Sequence, residues 1–124
     1  MATSSNLATS ALANVKPQVI QVESIDQVIA QKAWEGGVSP DLARRIAYCE
    51  SSDRQFDESG KVLRGIKNPS DVGIFQINEQ FHLKRSQQHG DDIYTTEGNI
   101  DYAIWLLKHG GSQHWGSSKP CWDK

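Results

Sequence analysis

The stretch Ser39-Pro40-Asp41-Leu42-Ala43-Arg44-Arg45-Ile46-Ala47-Tyr48-Cys49-Glu50-Ser51-Ser52 constrains the fold more than any other. Serine before proline marks a helix start. The hydroxyl caps a free backbone N–H, and proline fits the first helical position, where its missing N–H costs nothing. Leu42, Ala43, Ile46 and Ala47 recur at helical spacing and form one apolar face. Glu50 lies one turn after Ile46 on that same side. A carboxyl group therefore leaves the buried face of a helix at its end.

The neighbouring segments read more simply. Ser24-Ile25-Asp26-Gln27 fits a capping box, with Ser24 as cap and Gln27 three residues inside. Ile25, Val28, Ile29 and Ala33 then have helical spacing, and Gly36-Gly37 stops the run. Residues 53–70 are rich in turn formers, among them Ser59-Gly60 and Asn68-Pro69-Ser70, with short apolar pieces between them. This pattern predicts a small antiparallel β-ribbon, with Gly73 to Ile77 as a further strand or a strand entering a helix. Residues 78–89 read as a polar helix or irregular turn ending at Gly90. Thr95 or Thr96 caps a last helix carrying Ile100, Ala103, Ile104, Leu106 and Leu107, which His109-Gly110-Gly111 terminates. Trp115 and Trp122 in the tail predict that it packs back on the body.

With 124 residues the chain is near the commonest domain size. Residues 1–20 read as a flexible N-terminal arm and 21–124 as one folded domain. The first ten residues lack the basic start and apolar centre of a secretory signal, so export by another route or a trimmed leader is expected. No run reaches the length of a membrane-spanning helix. Net charge is −2, from 13 Lys and Arg against 15 Asp and Glu. A nucleic-acid partner, which favours a basic patch, is therefore not expected. Two cysteines, Cys49 and Cys121, permit one disulfide or two buried thiols.

Glu50 is the leading candidate for chemistry. Burial disfavours the charged carboxylate, so an acid on an apolar face can keep its proton near neutral pH. Asp71 is a second carboxylate, expected across a cleft from Glu50, although a turn or cap role is its ordinary alternative. Two carboxyls in unlike environments are what acetal cleavage needs. Ser51 is positioned to hydrogen-bond the Glu50 carboxyl. Gly73 allows close approach of backbone or ligand, while Gln76 and Asn78 offer amides suited to sugar hydroxyl and N-acetyl groups. Trp115, in Gly- and Ser-rich surroundings, is the best candidate among four tryptophans to stack on a sugar ring. His82, His89, His109 and His114 lack tight zinc spacing, so no metal or other cofactor is expected, and surface or capping roles suit them. A thiol nucleophile at Cys49 is disfavoured by its place at a helix C-terminus.

Ile46-Ala47-Tyr48-Cys49-Glu50-Ser51-Ser52, followed by Asn68-Pro69-Ser70-Asp71-Val72-Gly73-Ile74-Phe75-Gln76-Ile77-Asn78, resembles the lysozyme superfamily, which includes animal-type lysozymes and lytic transglycosylases. Gly98-Asn99-Ile100-Asp101-Tyr102-Ala103-Ile104 is similar to a later transglycosylase helix, which adds Tyr102 as a substrate-binding candidate. The tail resembles that of small bacterial and phage members. The resemblance implies an α+β, mainly α fold, with a helical lobe, a small antiparallel β-ribbon and a cleft between them. It implies cleavage of the β-1,4 bond between N-acetylmuramic acid and N-acetylglucosamine, with Glu50 as general acid. Asp71 matches the second carboxylate of animal-type lysozymes, a candidate nucleophile or stabiliser for hydrolysis. Transglycosylases usually lack that acid and use the glutamate alone, closing an anhydro ring with the substrate's 6-hydroxyl. A Cys49–Cys121 bridge would then tie the tail to the catalytic helix. The expected partner is the peptidoglycan glycan strand, met by a monomer outside the cell or at its wall. Hydrolysis, with Glu50 as acid and Asp71 as nucleophile or stabiliser, is the leading expectation; a lytic transglycosylase using Glu50 alone and a non-catalytic wall-binding relative are the alternatives.

Overall fold

A computed structural model describes residues 23–124; the N-terminal arm expected over residues 1–20 lies outside the described residues. Helix α1 spans Ile25–Glu35 and α2 spans Pro40–Ser51. Both start on the expected caps. Ser24 Oγ accepts from the Gln27 backbone N–H while the Gln27 side chain accepts from that of Ser24, completing the capping box. Ser39 Oγ accepts from Leu42 N at 3.2 Å. Gly36 closes α1, and a Cβ there would lie 2.6 Å from Ile104 Cγ2. Glycine is what allows this turn to sit against the later helix.

A short hairpin follows. Strand β1, Asp71–Val72, pairs antiparallel with β2, Ile77–Asn78, matching Asp71 to Asn78 and Val72 to Ile77. Single bridges from Phe56 to Val62 and from Arg64 to Val72 extend it into the turn-rich segment. The strand expected from Gly73 to Ile77 is corrected here: residues 73–76 form the hairpin turn. Gly73 and Gln76 have φ of 75° and 50°, which strand geometry excludes. The amide groups a strand would pair are taken by side chains instead. Gln55 Oε1 accepts from Ile74 N at 3.0 Å, and Asn99 Oδ1 accepts from Phe75 N at 2.9 Å.

Helix α3, Glu79–Gln88, begins on Asn78, and α4, Thr96–Gly110, begins on Thr95. A 3₁₀ segment, Gly111–Ser118, and a last turn α5, Lys119–Trp122, complete the chain. The molecule is thus mainly helical with a small two-stranded antiparallel sheet, as the sequence implies. Helix α4 is the central element: Ile100, Tyr102, Ala103, Ile104, Leu106 and Leu107 are all buried. They meet Ile29 and Ala33 of α1, Ala43, Ile46 and Ala47 of α2, and Ile74 and Phe75 of the hairpin turn. The tail packs back as expected. Trp122 is 5% exposed, and its Nε1 donates to the Trp115 carbonyl at 3.0 Å. Cys49 and Cys121 form a disulfide between α2 and α5. No thiol remains at Cys49, which removes the nucleophile reading. Among the described residues, no helix is long and apolar enough to cross a membrane.

Candidate active site

Glu50 lies on the last turn of α2 and lines a cleft of about 270 Å³. The hairpin contributes Asp71, Gln76, Ile77 and Asn78 to that cleft, α3 contributes Phe81 and His82, and the 3₁₀ segment contributes His114, Trp115 and Ser117. The sequence places the two carboxyls 21 residues apart, and the structure brings them to one cavity. Partial burial pushes the Glu50 carboxyl above the usual range. The Ser118 hydroxyl, which donates to Oε2, works against that rise, and the nearby Asp71 charge adds to it. The proton is therefore held closer to neutral pH than on an exposed glutamate.

Asp71 is half-buried, and its Oδ1 accepts from Asn78 Nδ2 at 3.0 Å. Asn78 Oδ1 meanwhile accepts from the backbone N–H groups of Gln80 and Phe81. One side chain thus caps α3 and orients Asp71, leaving a single amide hydrogen for a ligand. Gln76 lines the same cleft, with Nε2 donating to the Gly73 carbonyl at 3.0 Å.

The other sequence candidates stand further back. Ser51 is buried. Its Oγ donates to the Ala47 carbonyl at 3.3 Å and accepts from Arg54 N, so Ser118, not Ser51, holds Glu50. Gly73 is a support of the turn rather than a cleft residue: a Cβ would lie 2.4 Å from Asn99 Nδ2 and 2.5 Å from Gln55 Oε1. Tyr102 is fully buried on α4 and shares a 2.9 Å hydrogen bond with His82 Nδ1. Trp115 borders the cleft at 3% exposure, with Nε1 donating to the Phe75 carbonyl at 2.8 Å. Its ring packs edge-on to Phe75 and offers little free face.

Several site residues escaped the sequence reading. Phe81 lines the cleft and is 80% exposed. His82 and His114 stand edge-to-face on the cleft wall, and burial of His82, then His114 and Arg85, push its ring toward the neutral form. Gln55 and Asn99 are buried amides that fix the turn from behind. Asn99 Nδ2 donates to the carbonyls of Val72 and Ile93, and Gln55 Nε2 also donates to Ile93. The available signal for Ser118 was its place three residues before Cys121, whose partner adjoins Glu50.

Among the described residues, no group of three or more His, Cys, Asp or Glu side chains could hold a metal ion. The arrangement offers a carboxyl group held toward its protonated form, a second carboxylate and an exposed aromatic rim. No curated protein and no solved structure matches the chain. A family model, the transglycosylase SLT domain, matches residues 27–118, a span that includes Glu50, the hairpin and Ser118. The chain belongs to the transglycosylase SLT domain family and is an enzyme of the lytic transglycosylase and lysozyme-like class that acts on peptidoglycan.

Proposed function

We propose that this chain is a lytic transglycosylase that cleaves the β-1,4 bond between N-acetylmuramic acid and N-acetylglucosamine, with Glu50 as its acid and base. The observation that carries this reading is the half-buried Glu50 carboxyl on a cleft wall, its proton favoured by partial desolvation. Glu50 gives its proton to the bridging oxygen as the C1–O bond breaks. The muramic 6-hydroxyl then attacks C1, and its proton passes to the Glu50 carboxylate. The product carries a 1,6-anhydro ring, and Glu50 is restored. General acid catalysis of this kind contributes roughly 10²–10⁴-fold.

Asp71 supports a second reading, hydrolysis. Its carboxylate shares the cleft and is oriented by Asn78. From there it can stabilise the oxocarbenium-like centre or attack it, with water completing the reaction. Digestion of purified peptidoglycan by wild type and Asp71→Asn, with mass analysis of the muropeptides, separates the two. The transglycosylase reading expects anhydro products, lighter by one water, from both proteins. Reducing-end products that vanish with Asp71→Asn establish hydrolysis instead. Intact glycan strands after treatment with folded wild type refute both and leave a wall-binding role.

A further inference from the structure

We propose that Ser118 is a positioning residue for the catalytic acid, its hydroxyl following the protonation state of Glu50 so that the carboxyl stays aimed in both halves of the reaction. This rests on the assignment of Glu50 as acid and base. The geometry has three parts. Ser118 Oγ touches Glu50 Oε2 and also lies 3.1 Å from the Trp115 carbonyl oxygen. A hydroxyl has one hydrogen and two lone pairs, so it can donate to only one of these at a time. With Glu50 ionised, Ser118 donates to the carboxylate. With Glu50 protonated, the carboxyl donates to Ser118 Oγ, and the serine hydrogen turns to Trp115.

The exchange costs little because no buried group is orphaned by it. The Trp115 carbonyl already accepts from Trp122 Nε1 at 3.0 Å, so it keeps a partner when Ser118 turns away. An unpaired buried polar atom would carry a desolvation penalty, and here neither state has one. The support is rigid. Trp115 is anchored through Nε1 to the Phe75 carbonyl, and Cys121, three residues after Ser118, is bonded to Cys49 beside Glu50. The serine and the acid are thus held from both sides.

Other groups facing Glu50 across the cleft are Asp71 from the hairpin, His82 from α3 and His114 from the 3₁₀ segment. These side chains are common to wild type and the Ser118 variants, so a change caused by Ser118 is read by difference. The test compares wild type, Ser118→Ala, Ser118→Thr and Glu50→Gln in peptidoglycan turnover from pH 4 to pH 9, with thermal melting as a check on folding. Ser118→Ala removes the donor that favours the charged form. Its kcat falls roughly 10- to 100-fold, the range for one hydrogen bond to an ionised group. KM is unchanged, and the alkaline limb of kcat/KM moves to higher pH. Ser118→Thr, which keeps the hydroxyl, restores both kcat and the limb. A Ser118→Ala protein with wild-type kcat and pH profile overturns the proposal, as does a folded Ser118→Thr protein that behaves like Ser118→Ala. Should Ser118→Ala itself fail to fold, Ser118→Gly, which also lacks the hydroxyl, takes its place under the same criteria. Turnover by Glu50→Gln would instead overturn the assignment of Glu50, a separate failure.

Discussion

Reducing the Cys49–Cys121 bridge should cost stability and activity together. The two cysteines are separated by 72 positions. On the chain-entropy model, closing a loop of that length removes about 15 cal/mol/K from the unfolded ensemble, or ~4.4 kcal/mol at room temperature. A domain of ordinary size is stable by only about 5–15 kcal/mol, so this loss is a large share of the total. It falls on the site because the bridge joins the residue beside Glu50 to the turn that follows Ser118. Trp122, next to Cys121, also loses the tether that seats it in the core. The assay is urea unfolding of oxidised and reduced protein, repeated with Cys49→Ala/Cys121→Ala, alongside turnover under each condition. We expect a fall of about 2–4 kcal/mol in both cases, since measured effects often lie below the entropic value. A loss under about 1 kcal/mol, with turnover intact, would refute the coupling of bridge, tail and acid.

Other outcomes follow from single contacts. Asn99→Leu leaves the Phe75 N–H and the Val72 carbonyl without their side-chain partner, while Ile93 keeps Gln55; urea unfolding should show a loss of about 2–4 kcal/mol. Phe81→Ala should leave melting unchanged, since the ring is exposed, but raise KM about two- to tenfold if sugar rings stack on it, as aromatic contacts of ~0.5–1.5 kcal/mol imply. Glu50 has a folded-state pKa raised chiefly by burial, so the native state holds its proton more tightly than the unfolded chain. Its ionisation then lowers stability as pH rises from the unfolded to the folded pKa. Glu50→Gln should therefore melt higher than wild type above that window and gain nothing below it, which thermal melts at both ends will show.

The parts of this fold that were legible in the sequence are those held by near neighbours. Ser24, Ser39 and Thr95 cap their helices through N–H groups three residues away, so each helix start is written locally. The apolar period around Ile46 likewise carries Glu50 to the buried side of α2. The hairpin turn was not legible, because its form comes from Gln55 and Asn99, which reach it from 19 and 24 residues away. Isoleucine and phenylalanine at 74 and 75 look like strand residues until those amides take their N–H groups. Ser118 was hidden for the same reason at a larger distance, 68 residues from its partner. Ser51, adjacent in sequence, was the more obvious choice, but its hydroxyl is turned back to Ala47. Tyr102 shows a similar limit: the resemblance to a transglycosylase helix offered it as a substrate-binding residue, while only the packing shows its hydroxyl meeting His82 behind the cleft wall.

On the proposed mechanism, one partly desolvated carboxyl, that of Glu50, supplies the proton that breaks the glycan strand. Glu50→Gln keeps the shape and the Ser118 contact surface but has no proton to give. Release of soluble muropeptides from purified peptidoglycan by this variant, measured against wild type at equal concentration of folded protein, is the direct test. The expected result is a loss of about 10²–10⁴-fold with the melting profile of a folded protein. Release within a few-fold of wild type would contradict it.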